Sequence, residues 1–105
     1  KGSLQYKVEE FTDEAVVKIS GWALNRKTLR AGTLNIVLTG QDKQQYIVKS
    51  ERLYRPDVRD AFGKRRLAFA GFEAAFIKQN LPKQHYEVSL VLDGDARMVG
   101  SIVVA

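Results

Sequence analysis

Apolar residues recur at every second position in stretch after stretch of this chain, and a period of two is the spacing of a β-strand. "AVVKISGWAL" sets Val17, Ile19, Gly21 and Ala23 on one face and Lys18, Ser20, Trp22 and Leu24 on the other. "TLNIVLTG" repeats the device with Leu34, Ile36 and Leu38 against Asn35, Val37 and Thr39. Between these two lies a turn-rich connection, "NRKTLRAG", with Asn25, three basic residues and Gly32. Gly40-Gln41-Asp42-Lys43 reads as a hairpin connection into "QQYIVKSE", where Tyr46 and Val48 share a face. "LAFAGFEAAFI" admits a helix or a strand. Gly71 is unfavourable inside a helix, and Phe72, Ala74 and Phe76 alternate with Glu73 and Ala75, so a strand is expected.

The chain closes with "HYEVSLVLDG" and "RMVGSIVVA" around Asp93-Gly94-Asp95-Ala96, its strongest hairpin signal, with Tyr86, Val88, Leu90 and Leu92 expected in the core. Adding "LQYKVEEF" gives about seven strands at regular intervals, the signature of an all-β, antiparallel two-sheet sandwich, with a small closed barrel as the alternative. At 105 residues the chain is expected to be one domain with one core. Without cysteine it has neither a disulfide framework nor a thiolate metal site, so packing must hold it together. No apolar run approaches the roughly 18 to 20 residues of a membrane span, and Lys1-Gly2-Ser3-Leu4 lacks the apolar length of a signal peptide. Beginning without Met, residues 1–105 read as a piece excised from a longer protein or a processed product.

One stretch breaks the alternation: "LYRPDVRDAFG", residues 53–63. Pro56 suits the first position of a helix and Gly63 the position just past its end, which brackets a short helical turn near residues 56–62. Val58, Ala61 and Phe62 fall three and four apart, so one side of the turn is apolar and is expected to cover an open end of the sandwich as a plug between the sheets. Asp57 is favoured in the first turn and placed to pair with Arg55 or Arg59. Around it, Arg52, Arg55, Arg59, Lys64, Arg65 and Arg66 lie within fifteen residues, offset only by Asp57 and Asp60, with Tyr54 among them. Guanidinium forks match phosphate and carboxylate, so Arg52, Tyr54, Arg55, Arg59, Arg65 and Arg66 form the candidate ligand-binding set. The net charge of +5 makes anionic glycans, teichoic-acid-type polymers, lipid headgroups or nucleic acid physically reasonable partners.

The ordered combination "ISGWAL", "YRPDVRDAFG", "AGFEAAF" and "LPKQHYEVSLVL" resembles a β-sandwich module appended to bacterial glycosyltransferases and other enzymes that build cell-surface polysaccharides. Gly21, Trp22, Ala23, Arg55, Pro56, Asp57, Val58, Phe62, Gly63, Gly71 and Phe72 carry the resemblance, which spans residues 15–92. It implies an immunoglobulin-like or carbohydrate-binding-module sandwich without catalytic activity of its own. Such a module would bind a glycan polymer or pack against the catalytic domain of its parent or a sister subunit, in the cytoplasm or at the membrane of a bacterium.

Catalysis and cofactors find little purchase. The single histidine, His85, opens an expected strand and reads as an exposed strand residue. Asp57 with Asp60 and Asp93 with Asp95 sit where polar residues serve a helix turn and a hairpin. "DGDA" with Glu87 lacks the further oxygen ligands of a calcium loop, and no phosphate-binding glycine loop is present, so no metal or cofactor is expected. Trp22 reads either as an exposed platform for a sugar ring or as a core residue, and Gly21 beside it favours the core. A small basic barrel or sandwich binding single-stranded nucleic acid is the alternative function, although no specific nucleic-acid motif is found.

Overall fold

In the computed structural model, which describes residues 2–105, the alternation resolves into eight strands. They are β1 (Leu4–Asp13), β2 (Val16–Asn25), β3 (Leu34–Gly40), β4 (Gln45–Lys49), β5 (Glu51–Leu53), β6 (Gly71–Ile77), β7 (His85–Leu92) and β8 (Asp95–Val103). One helix, α1 (Pro56–Phe62), and a 3-10 turn, Arg65–Leu67, connect β5 to β6. One antiparallel sheet has the order β1-β2-β6-β5 and the other β4-β3-β7-β8. Lettered A, B, C, C′, D, E, F, G along the chain, these are A-B-E-D and C′-C-F-G, the strand order of an immunoglobulin-type sandwich.

The eighth strand arises because residues 44–53 do not form one strand. Residues 45–49 pair with β3 in one sheet, the Ser50 hydroxyl donates to the Leu34 carbonyl at 2.8 Å, and residues 51–53 then pair with β6 in the other sheet. Alternation alone does not record that switch, since the period of two runs on through it.

Between the sheets lies the main core: Val17, Ile19 and Ala23 of β2, Phe72 and Ala74 of β6, Leu34, Ile36 and Leu38 of β3, and Tyr86, Val88, Leu90 and Leu92 of β7. These four are the inner strands, and their faces alternate most cleanly because each inner face is fully covered. Burial of each large aliphatic or aromatic side chain stabilises by about 1.5–3 kcal/mol against a total of roughly 5–15 kcal/mol for a domain, so the packed faces fix the register. Two further details belong to the fold type. Tyr86, at the start of β7, donates its hydroxyl to the Pro82 carbonyl at 2.6 Å, the tyrosine corner of immunoglobulin-like sandwiches. Asp93 (φ 50°) and Gly94 (φ 82°) form the two-residue turn between β7 and β8, both left-handed as a tight hairpin requires.

The helix does not plug the sandwich. A second, smaller apolar cluster, Leu24, Val58, Leu67 and Ala70 with Trp22 and Phe62 against it, is separate from the main core. Trp22 and Leu24 alternate with Ile19 and Ala23, so they stand on the outer face of the β1-β2-β6-β5 sheet, and α1 covers that face. Trp22 is therefore neither a sandwich-core residue nor a free platform: it is partly buried and meets Phe62 edge-on, ring centroids 6.0 Å apart at 69°. The described residues form two cores, not one, because both faces of β2 carry apolar residues at this end.

Candidate functional site

α1 is built as the local sequence requires. Pro56 occupies its first turn, and Gly63 ends it in the left-handed conformation (φ 65°). The Gly63 N–H donates to the Asp60 carbonyl and the Lys64 N–H to the Arg59 carbonyl, both at 3.2 Å, which is the Schellman arrangement. Arg55 fastens the helix to the sheet. Its guanidinium donates to both Glu9 oxygens (2.7 and 3.1 Å) and to both Asp57 oxygens (2.9 Å each). Asp57, first, and Glu9 together raise the Arg55 pKa. In return the Arg55 hydrogen bonds pull the Asp57 carboxyl from its ordinary 3.8 to about 2 and hold Glu9 below its ordinary value.

Glu9 reaches Arg55 because β1 carries a bulge between Val8 and Glu10, which breaks the period of two and leaves Glu9 as the extra residue. Gly21 lies opposite that bulge, where a Cβ would strike the Lys7 carbonyl oxygen. Gly71 has a similar origin: a Cβ there would come within 2.6 Å of Arg55 Cγ and 2.8 Å of the Leu53 carbonyl. Of the residues that carry the resemblance, Gly21, Trp22, Arg55, Pro56, Asp57, Val58, Phe62, Gly63 and Gly71 thus belong to α1 or its seat on the sheet, whereas Ala23 and Phe72 pack in the main core. Glu9 was not among the residues singled out in the sequence, and its only signal was the Glu-Glu doublet at 9 and 10.

The candidate ligand set separates on inspection. Arg52 is half-buried and directs its guanidinium at four main-chain carbonyls: Ala70 (3.0 Å) and Gly71 (3.4 Å) from Nη1, and Ala23 (3.0 Å) and Ala31 from Nη2. Its Nε has no partner among the described residues. Burial pulls its pKa down to about 10, partly offset by Asp93, so it stays cationic at neutral pH. Arg55 is tied to two carboxylates, as above. Arg66 donates to the Leu29 (2.9 Å) and Thr28 (3.0 Å) carbonyls of the β2–β3 loop, and Arg65 beside it is exposed.

Arg59 and Tyr54 form a different kind of group. Tyr54 and Phe69 are 54% and 56% exposed, too open for core residues, and lie side by side with centroids 5.5 Å apart at 52°. The Arg59 guanidinium sits 5.8 Å from the Tyr54 ring centroid, donates to its hydroxyl at 3.0 Å, and pairs with Asp60 at 2.9 Å. Asp60 first, then Tyr54, raise the Arg59 pKa. Phe69 was not singled out in the sequence, where the alternation of that stretch was read from Phe72, Ala74 and Phe76.

The β2–β3 loop, marked in the sequence only as a turn-rich connection, adds a further basic group. Asn25, buried at 6%, organises it: Oδ1 accepts from the Lys27 (3.0 Å) and Thr28 (3.1 Å) N–H groups, and Nδ2 donates to Asp93 at 2.9 Å. Arg26, Lys27 and Arg30 are exposed around it, beside Arg66.

Elsewhere, two open clefts lie at the other end of the sandwich, one of about 520 Å³ lined by Thr39, Lys43, His85, Glu87 and Ser101, the other of about 450 Å³ lined by Val16, Ile77, Lys78 and Val103. His85 is exposed, as its place at the start of β7 suggested. No cluster of three or more His, Asp or Glu side chains capable of holding a metal occurs among the described residues, and none of their helices is long and apolar enough to cross a membrane. No protein-family model, curated protein or solved structure matches this chain.

Proposed function

We propose that this chain is a non-catalytic accessory module of a bacterial glycosyltransferase that builds a surface polysaccharide or teichoic-acid-type polymer, and that it holds the glycan at Tyr54, Phe69 and Arg59. The observation that carries this reading is the exposed, tilted Tyr54–Phe69 pair with a guanidinium fixed beside it. The apolar face of a sugar ring stacks on an aromatic ring, and an adjacent cation supplies directional donors for hydroxyl or anionic substituents. Of the five guanidinium N–H donors, Asp60 and Tyr54 occupy two. The resemblance supports the parent enzyme, and its residues describe the scaffold that presents this pair rather than the pair itself.

A glycan array carrying bacterial surface oligosaccharides, followed by calorimetric titration of the hits, tests the reading. Saturable binding is expected, and Tyr54→Ala with Phe69→Ala should weaken it by on the order of tenfold or more, since covering an aromatic side chain with an apolar face contributes about 1.5–3 kcal/mol when complete. Absence of binding to any glycan overturns it. Preferential binding of single-stranded DNA would favour the nucleic-acid alternative.

A further inference from the structure

The five exposed basic residues Arg26, Lys27, Arg30, Arg65 and Arg66 gather where the β2–β3 loop meets the 3-10 turn after α1, and the fold actively brings them together. Arg66 lays two donors on the Thr28 and Leu29 carbonyls, so it adds its positive charge to a loop that already carries three. The ion pairs Glu9–Arg55, Asp57–Arg55, Asp60–Arg59, Asp13–Lys78 and Asp95–Arg97 leave these five without a carboxylate partner among the described residues. The loop and the 3-10 turn therefore concentrate unpaired positive charge on one crest, with Asp93 held beside the loop by the Asn25 amide, and a local excess of one sign attracts an anion.

The backbone beneath the crest is hydrogen-bonded across the loop. Leu29 adopts a left-handed φ of 53°, unfavourable for a residue with a Cβ, and is kept there by its N–H to the Asn25 carbonyl at 2.7 Å. Asn25 closes the loop from the other side by donating its N–H to the Arg30 carbonyl at 2.8 Å.

We propose that the crest formed by Arg26, Lys27, Arg30, Arg65 and Arg66 binds a polyanionic glycan, a polymer with repeated phosphate or carboxylate groups. The surface is open, and the two clefts described above lie at the far end of the sandwich, so the array suits charges spaced along a chain rather than one enclosed anion. Residues 25–33 and 64–67 contain no aromatic ring, so the crest itself reads charge rather than stacking. The inference deepens the glycan reading by naming the charge of the ligand, and it rests on that reading for the sugar component.

Titration of the chain with polyphosphate, polygalacturonate, neutral dextran and oligo-dT at about 50 and 200 mM salt tests it. Polyphosphate or polygalacturonate should bind, weakening steeply with salt, and the tighter of the two names the anionic group. The triple variant Arg26→Ala, Lys27→Ala, Arg30→Ala should lose on the order of tenfold or more at low salt, at about two- to fivefold per charge. A triple variant at the exposed Lys18, Lys49 and Lys83, which removes the same net charge elsewhere, should bind as the parent does. Equal loss in both triples, no binding to either polyanion, or tighter binding of oligo-dT overturns the inference. Polyphosphate contains no sugar ring, so failure here leaves the aromatic reading standing, and failure of sugar stacking alone leaves the polyanion site but removes its sugar component.

Discussion

Tyr86 ties the chain reversal before β7 to the core: its ring is 1% exposed, and its hydroxyl donates to Pro82 and accepts from Gln84 Nε2 at 3.3 Å. Tyr86→Phe keeps the ring and removes the hydroxyl, so a loss of about 0.5–1.5 kcal/mol is expected in urea unfolding, with ligand affinity unchanged. A neutral result would mean that the corner is held by the ring alone. The alternation in "HYEVSLVL" made the buried ring legible, but not the carbonyl that the hydroxyl meets. Arg52 was less legible still. In the sequence it is one basic residue among six, whereas in the fold its guanidinium joins carbonyls from β2, the β2–β3 loop and the start of β6. Contacts that converge from segments twenty or thirty residues away leave no periodic trace.

At the scale of an element, α1 shows which part of a helix is written locally. Pro56 and Gly63 fixed its ends, and the spacing of Val58 and Phe62 fixed its apolar side, but the surface beneath it depended on Trp22 and Leu24 facing outward from β2. An apolar residue on either face of a strand reads the same until the partner of each face is known. The ionic tie to the sheet gives the helix a pH dependence of definite sign. Asp57 and Glu9 both have folded pKa values below their ordinary 3.8 and 4.5, so their contribution is complete above about 4.5 and is lost as the pH falls toward 2. Melting temperature measured from pH 7 to 2 should therefore fall less steeply below pH 4.5 in Arg55→Gln than in the parent. Parallel curves would show that the tie contributes nothing.

Across the whole molecule, sandwich class and most strands followed from a period of two, whereas sheet order and the distribution of charge did not. The crest joins residues 26–30 to 65–66 through two hydrogen bonds that no local pattern encodes, so the sequence placed the basic patch around α1, where carboxylates in fact pair Arg55 and Arg59. The fold also divides the β5–β6 connection into an inner part that binds the sheet, with Leu67 fully buried, and an outer part with Tyr54 and Phe69 exposed.

Thermal unfolding and oligosaccharide affinity, measured side by side on Leu67→Ala and on the Tyr54→Ala, Phe69→Ala double variant, test that division most directly. Leu67→Ala should cost about 2–5 kcal/mol of stability while the protein that remains folded keeps its affinity. The double variant should lose affinity at an unchanged melting temperature. Destabilisation of the double variant without loss of affinity would contradict the account, because those rings would then belong to the fold rather than to the ligand.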